Sequence, residues 1–141
     1  MWQKQRNQIV QRFMDYAELA SAEGFIIAGE AHCGAAVDRS ERAIWIIETV
    51  DSPSVGLHFD IVHFYLAGER IEDSVKNLVP ITVHTHITDA KMYPNGQFDL
   101  LPLGRGELDS ITYLKAMHKA GWTDFITLEV SARVWSAEGY D

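Results

Sequence analysis

Short runs of apolar residues alternate along this chain with longer segments in which apolar positions recur at helical spacing. Continuous apolar runs, rather than strict alternation of apolar and polar positions, are typical of parallel strands that are covered on both faces. Four such runs predict strands at 25–29, 55–59, 81–85 and 125–128. This alternation of strands and helices predicts an α/β protein with a parallel sheet, in the order α-βα-βα-βα-β.

The predicted helices carry sequence signals for their ends. The first amphipathic segment is predicted to end near Gly24. Asp38, with Glu41 three residues later, predicts a capping box at the start of the second helix. Pro80 is predicted to end the third helix, and Asp109 is predicted to cap the fourth. A long loop with a turn at 93–96 is predicted after the third strand.

Acidic residues and histidines follow the apolar runs at the ends of all four predicted strands. The carboxyl ends of parallel strands lie on one rim, and residues two apart share a strand face, so these side chains are expected to converge. A single histidine or glutamate at a strand end is more often structural, but recurrence at four strand ends favours a metal or catalytic rim. The residues are Glu30, His32, Asp60, His63, His86, Asp89 and Glu129.

The chemistry expected at this rim is that of a divalent-cation site. Two glutamates and an aspartate at one rim would repel each other, and a bound cation removes that conflict. An oxygen-rich site with one imidazole suits Mn²⁺ first, with Mg²⁺, Co²⁺ or Zn²⁺ as alternatives.

Composition and charge narrow the classes of function. With 141 residues, 47% hydrophobic and 23% charged, the chain is expected to build a core, which excludes disorder and a coiled coil. The net charge of −8 argues against a nucleic-acid partner. No apolar run approaches the roughly 20 residues of a membrane span, and no secretory signal is recognised, so a cytoplasmic location without a membrane partner is expected. The single cysteine, Cys33, is interpreted as a small buried residue.

Several short motifs resemble those of a known superfamily. The segment 55–63 reads VGLHFDIVH, and the segment 84–89 reads HTHITD. The motifs in chain order are Glu30 before Ala-His, Asp-x-x-His at 60–63, His-x-x-Asp at 86–89, Leu-Gly-x-Gly at 103–106, and Glu129 at the end of the last strand. In these features the chain resembles the xylose-isomerase-like TIM-barrel superfamily of sugar phosphate isomerases and epimerases, which shares its fold with the endonuclease IV family (AP endonuclease family 2).

The resemblance implies the C-terminal half of a (β/α)8 barrel. Residues 1–141 would form a single partial domain with strands five to eight. Because a whole barrel runs to about 250 residues, the chain is expected to be truncated at both ends. It is expected to form a homodimer or to pair with a missing N-terminal half-barrel.

The resemblance also implies a ligand set and two catalytic residues. One divalent metal would be held by Glu30, Asp60, His86 and Glu129. Glu30 and Glu129 would also be the catalytic bases, moving protons at the sugar carbon from opposite faces.

Other residues are expected to contact the substrate. His63 and His32 would bind substrate oxygens, with binding of a second metal, as in the nuclease branch, as the alternative for His63. Arg105 would bind an anionic group, and loop roles are the alternatives for His32 and Arg105. Trp135, after the last strand, would cover the substrate.

The function that these features imply is a metal-dependent sugar or sugar-phosphate isomerase or epimerase. A polyol dehydratase, a phosphodiesterase and a catalytically inactive half-barrel fragment are the alternatives. Two departures from the family pattern bear on them. Thr88 stands where many members have a lysine, and the stretch 98–102 lacks the histidine of endonuclease IV members, so a three-zinc cluster is not expected.

Overall fold

Four parallel strands form one sheet with helices between them. The computed structural model describes residues 1–130, and its sheet has the order β1-β2-β3-β6. The strands are β1 (Ile27–Glu30), β2 (Val55–Asp60), β3 (Thr82–Ile87) and β6 (Thr127–Leu128). All three pairings in this sheet are parallel. The predicted half-barrel architecture is confirmed, and each strand end lies within two residues of its predicted position.

The helices follow the predicted order, and most of the predicted end signals are confirmed. Gly24 ends the first helix with φ 74°, a left-handed conformation that glycine adopts without steric cost. Pro80 lies in a 3₁₀ turn that follows the fourth helix. Asp109 accepts a hydrogen bond from the N–H of Thr112 at 2.9 Å and caps the last helix. The helices are α1 (Trp2–Glu23), α2 (Ser40–Val50), α3 (Ile61–Leu66), α4 (Ile71–Leu78) and α5 (Ser110–Lys119).

The predicted capping box at the second helix is wrong. Arg39 is the N-cap residue of α2 and makes no side-chain cap. The Asp38 carboxylate instead accepts a hydrogen bond from the Arg42 guanidinium at 2.7 Å. The N-terminus of α2 is held from a distance, because the N–H of Ser40 donates to Glu69 Oε1 at 2.8 Å. A long-range partner has replaced the local one.

The predicted long loop after the third strand is also wrong. It contains an antiparallel hairpin of β4 (Asp89–Met92) and β5 (Phe98–Leu101). The hairpin turn lies at the predicted position, where Gly96 has φ 80°. The short α3 helix, which begins directly after Asp60, was not predicted either.

The hydrophobic core lies on one side of the parallel sheet. Phe59, Phe64, Leu78, Tyr113 and Met117 are fully buried there, between the sheet and helices α3 to α5. Because side chains alternate along a strand, the neighbours of Phe59 point to the opposite face, which carries the polar residues. Within residues 1–130, no helix is both long and apolar enough to cross a membrane.

Candidate metal centre

Strand pairing brings the predicted rim residues to the same level of the sheet. Asp60 is the register partner of His86, and Glu30 is the register partner of His58. The N–H of Glu129 donates to the carbonyl of Ile87 at 3.0 Å, which places Glu129 at the same rim. Side chains from four strand ends therefore share one location.

The imidazole of His86 lies in the middle of three carboxylates. Its Nε2 atom is 3.1 Å from Asp60 Oδ2 and 3.3 Å from Glu30 Oε1. The same atom is 3.8 Å from Glu129 Oε2. The structure thus brings together all four side chains that were predicted to hold a metal.

The four side chains differ in their access to solvent. The Asp60 side chain is 0% exposed and that of His86 is 16% exposed. The side chains of Glu129 and Glu30 are 26% and 38% exposed. The centre therefore has a buried floor of aspartate and histidine and an open mouth formed by the two glutamates.

Two buried atoms of this centre have no hydrogen-bond partner among the described residues. They are Asp60 Oδ2 and His86 Nε2, whose 3.1 Å separation lacks the angles of a hydrogen bond. The other oxygen of Asp60 accepts the N–H of Val62 at 3.0 Å and caps α3. Leaving buried polar atoms unpaired costs free energy, and a coordinated cation would satisfy both atoms.

The donor set fits a divalent cation. One ligand atom from each of Asp60, His86 and Glu129 lies within 4.8 Å of the others. The same holds for Glu30, Asp60 and His63. Three carboxylates and an imidazole provide the oxygen-rich, mixed set that Mn²⁺, Mg²⁺, Co²⁺ and Zn²⁺ accept.

Electrostatic coupling within the centre is strong. Burial disfavours the charged form of His86, but the carboxylates of Asp60 and Glu30 outweigh it and raise the pKa of His86 to about 10. The nearby His86 imidazole in turn holds the pKa of Glu30 below its usual value, against the opposing effect of burial. A proton on His86 therefore provides, in the protein without a cation, the positive charge that the carboxylates require.

His63 adjoins the centre but has the opposite electrostatic character. Its Nε2 atom is 3.6 Å from Asp60 Oδ2 and 3.7 Å from Glu30 Oε1. Burial lowers the pKa of His63 to about 4, and the nearby Asp60 carboxylate only partly offsets this. The ring of His32 stacks on His63 with a centroid distance of 3.7 Å. Both predicted substrate-binding histidines thus lie beside the carboxylates.

Arg105 is not among the side chains whose ion pairs join the centre within residues 1–130. It is an exposed residue of the turn that follows β5, and its N–H donates to the carbonyl of Pro102 at 3.0 Å. Its predicted role in binding an anion stays a prediction, and Trp135 lies outside the described residues.

Asp89 has a structural role that the sequence reasoning missed. It is 1% exposed, and its carboxylate accepts the backbone N–H groups of Ala90, Gly104, Gly106 and Leu108 at 2.8 to 3.0 Å. These bonds tie the Leu-Gly-x-Gly turn to the end of β3. The sequence carries no local signal for this role, because three of the four donors lie 15 to 19 residues after Asp89.

His58 is a second neighbour of the centre. Its ring centroid is 4.2 Å from that of His86, and its Nδ1 atom is 3.3 Å from His84 Nδ1. Burial lowers the pKa of His58, followed by the effect of His86. The signal was present in the sequence, because His58 precedes Asp60 by two residues and so shares its strand face.

Comparison with proteins of known sequence shows relatives named as sugar-modifying enzymes. The chain is 29% identical over 126 residues to the inosose isomerase of Bacillus licheniformis, covering 86% of this chain and 45% of that protein. It is 30% identical over 122 residues to the inosose isomerase of Bacillus subtilis, covering 82% of this chain and 44% of that protein. The chain thus spans less than half the length of these curated relatives.

Comparison with solved structures finds longer chains that match this one over about half of their length. A crystal structure of the IolI protein with a bound zinc atom superposes with a TM-score of 0.82 at 26% identity, covering 99% of this chain and 51% of that one. A probable 3-DHS dehydratase from Bacillus anthracis shares the fold, with a TM-score of 0.76 at 21% identity, covering 91% of this chain and 51% of that one. The sequence model of the family described as xylose isomerase-like TIM barrel matches residues 3–141. The chain therefore belongs to the xylose isomerase-like TIM barrel family.

Proposed function

We propose that this chain forms the catalytic half of a divalent-metal-dependent isomerase or epimerase. Its substrate would be a polyhydroxylated ketone, such as a keto sugar or an inosose. Two relatives named as inosose isomerases and a zinc-bound IolI structure support this class of reaction. The ligands would be Glu30, Asp60, His86 and Glu129, with Mn²⁺ as the first choice and Zn²⁺, Mg²⁺ or Co²⁺ as alternatives.

One observation carries the proposal, namely the graded exposure of the four side chains. Asp60 is fully buried, so it can hold a cation but cannot reach a substrate. Glu30 and Glu129 are partly exposed, so each can face both the buried centre and a bound molecule. We therefore assign proton transfer to the two glutamates.

The position of the glutamates in the sheet suits transfer on opposite faces of one carbon. Glu30 ends β1 and Glu129 follows β6, which are the first and last strands in the order β1-β2-β3-β6. Asp60 and His86 lie between them on the two central strands. A substrate carbon above the centre would have one glutamate on each side.

The proposed proton transfers conserve the atoms of the substrate. One glutamate removes the proton from the carbon next to the carbonyl, and the other returns a proton to the opposite face of that carbon, which inverts it. Isomerisation would result instead if the proton returned to the former carbonyl carbon while the proton of the adjacent hydroxyl passed to the former carbonyl oxygen. When bound, the cation would polarise the carbonyl and the adjacent hydroxyl of the substrate and so make that carbon acidic. His63 and His32 would hold substrate hydroxyl groups beside Glu30.

Exchange of substrate protons with solvent tests the proposed role of Glu129 in proton transfer. The purified chain is loaded with Zn²⁺, which is diamagnetic and does not broaden NMR lines, and is incubated with keto sugars or inososes in D₂O. Incorporation of deuterium at the carbon next to the carbonyl is followed by NMR. Samples loaded with Mn²⁺ or Co²⁺ are incubated in the same way and freed of metal before their spectra are recorded. Glu129→Gln is expected to lower the exchange rate by about 10²- to 10⁴-fold, as for loss of a general base.

The matched control is Glu72→Gln, since Glu72 is an exposed glutamate on α4 and its replacement makes the same chemical change. That variant should exchange at the wild-type rate. Exchange that is equally fast in Glu129→Gln, or absent from the metal-loaded wild type, would contradict the proposal.

A further inference from the structure

Two further histidines lie on the polar face of the sheet, one layer of side chains below the metal centre. His58 precedes Asp60 by two positions and His84 precedes His86 by two, and residues two apart share a strand face. Strand pairing keeps the two layers in step, because His58 is the register partner of His84 and Asp60 is that of His86. The interior of such a barrel is usually filled by branched apolar side chains, so two adjacent histidines in this layer are unusual.

The two imidazoles of this layer are joined through their Nδ1 atoms. The Nδ1 atoms of His58 and His84 are 3.3 Å apart, whereas their ring centroids are 4.7 Å apart. The nitrogens are closer together than the ring centres by more than the radius of one ring, so both of them face the gap. One Nδ1 atom therefore donates and the other accepts. Because the χ2 torsion of a histidine is otherwise broad, this bond restricts rotation of the His58 ring.

His58 in turn packs against the ring of His86, one of the four candidate metal ligands. Their ring centroids are 4.2 Å apart with an interplanar angle of 72°, which is an edge-to-face contact. The Nε2 atom of His86 has no hydrogen-bond partner among residues 1–130, so no such bond fixes its direction there. Contact with the anchored ring of His58 therefore restrains how far the imidazole of His86 can turn.

The hydrogen-bonding needs of His58 itself do not explain its presence. Its Nε2 atom is buried and has no hydrogen-bond partner in the described part of the chain. A buried polar atom without a partner costs free energy, and an apolar side chain would avoid that cost. An apolar side chain, however, could not be anchored by a hydrogen bond to His84. An imidazole at this position is thus suited to holding a neighbouring ring in one orientation.

We propose that His58 is a positioning residue for the metal ligand His86, and that His84 acts only through His58. The pair would keep the imidazole of His86 aimed at the carboxylates before a cation arrives, so less order has to be imposed on binding. Replacing residues that orient a metal ligand typically lowers metal affinity by about 10- to 100-fold. The inference rests on the metal centre of the proposed function, but it concerns binding of the cation and not proton transfer.

Zinc affinity measures this effect without any substrate. The metal-free chain is titrated with Zn²⁺ in competition with a chromophoric chelator. His58→Ala is expected to weaken binding by about 10- to 100-fold. His84→Ala should weaken it less, because the ring of His58 remains but is free to turn. The double variant should bind zinc no more weakly than His58→Ala alone, since His84 then has nothing to hold, whereas independent contributions would multiply.

Two matched variants separate orientation of the ligand from general damage to the fold. His84→Asn places an amide close to the former Nδ1 position, where it can still hydrogen-bond to His58, and should restore most of the affinity that His84→Ala loses. His118→Ala makes the same chemical change as the other alanine variants at an exposed position of α5, and should leave zinc affinity unchanged. Thermal unfolding curves show whether each variant is folded.

Cobalt adds a spectroscopic measure of how the ligands are arranged. The visible absorption bands of bound Co²⁺ depend on the geometry of its ligands, so a change in the direction of the His86 ring alters them. The bands are expected to change in His58→Ala and in His84→Ala and to match the wild type in His118→Ala. A mutation that only lowered stability would leave the spectrum of the folded, cobalt-bound protein as it is.

Wild-type zinc affinity in His58→Ala would overturn the proposal, and so would losses that multiply in the double variant. A wild-type chain that binds no zinc would overturn it together with the proposed metal-dependent function. If the variants lose affinity as expected but the zinc-loaded wild type catalyses no deuterium exchange, the positioning role of His58 stands and the proposed reaction fails.

Discussion

Two histidines less than 4 Å from the same aspartate oxygen have opposite proton affinities. His86 Nε2 is 3.1 Å and His63 Nε2 is 3.6 Å from Asp60 Oδ2. His86 is close enough to two carboxylates for attraction to exceed the cost of burial, and its pKa is raised to about 10. His63 is more deeply buried and farther from the charges, so desolvation dominates and lowers its pKa to about 4. Deeper burial of His63, together with separations that differ by a few tenths of an ångström, therefore leaves His63 neutral and His86 charged.

These opposite pKa shifts predict a stability maximum near pH 6.5 for the protein freed of metal by a chelator. The raised pKa of His86 contributes stability that is complete below 6.5 and is lost as pH rises through about 10. The lowered pKa of His63 contributes stability that is complete above 6.5 and is lost as pH falls toward 4. The lowered pKa of Glu30 adds to the loss on the acid side. Unfolding midpoints measured from pH 4 to pH 10 check this.

The variant His86→Gln isolates the alkaline side of that profile. It removes the group with the raised pKa, so its midpoint should change little between pH 7 and pH 10, while the acid decline remains. A variant that loses stability at high pH as steeply as the wild type would show that the alkaline decline has another origin.

At the scale of single residues, the sequence predicted the centre because its signal is local. Asp60 and His86 each end an apolar run, and parallel pairing alone brings such residues together. The role of Asp89 could not be predicted in the same way. Its four donors lie up to 19 residues away, so their arrangement depends on how the intervening hairpin folds back.

At the scale of elements, the turn that follows β5 is packed against the start of the β4–β5 hairpin at one glycine. The N–H of Gly106 donates to the Asp89 carboxylate at 2.9 Å. A Cβ atom at Gly106 would lie 2.3 Å from Asp89 Oδ1 and 2.4 Å from the carbonyl oxygen of Ala90. Backbone on one side and a fixed carboxylate on the other leave no room for a methyl group. The missing side chain of Gly106 is thus what lets the turn approach Asp89.

Gly106→Ala is therefore expected to displace this turn and to destabilise the protein by about 1–3 kcal/mol, as for other overpacked sites. Urea unfolding followed by circular dichroism measures the loss.

The matched control is Gly96→Ala in the hairpin turn, where the added Cβ has open space and only the φ of 80° is unfavourable. A left-handed alanine costs roughly 1–2 kcal/mol, but it should not disturb the neighbouring turn. Native-state hydrogen exchange of the Leu108 N–H, which donates to Asp89, should accelerate in Gly106→Ala and stay unchanged in Gly96→Ala.

The elements that the sequence did not reveal share a physical cause. The hairpin strands have four residues each, and β5 carries Asp99 between apolar positions, so the pattern is too short to distinguish from a loop. The α3 helix has six residues and follows β2 without a connecting loop. By contrast, α1 and the long strands are long enough to show several repeats of the apolar pattern. Their tertiary contacts agree with that pattern, so the sequence was sufficient to predict them.

At the scale of the whole molecule, the parallel sheet has two edges and one uncovered face within residues 1–130. Strand β1 pairs with β2 and with no other described strand, and β6 likewise pairs with β3. Ile26 and Phe125 lie just before β1 and β6, in the same sequence parity as Glu30 and Glu129, and they are 56% and 83% exposed. A closed barrel has no such edges and buries the residues of this parity in its interior.

This exposed face predicts that the isolated chain associates with itself, since two half-barrels can cover each other's inner faces and pair their edge strands. Burying a phenylalanine is worth about 1.5–3 kcal/mol, so Phe125→Glu should weaken association at least tenfold, as measured by sedimentation velocity over a range of concentrations. Tyr16→Glu is the matched control, because Tyr16 is 49% exposed on α1 and the change adds the same negative charge elsewhere on the chain. If the added negative charge alone opposed association, both variants would dissociate equally. If the inner face is the contact, only Phe125→Glu dissociates more readily than the wild type. A wild-type chain that stays monomeric at every concentration would contradict the prediction.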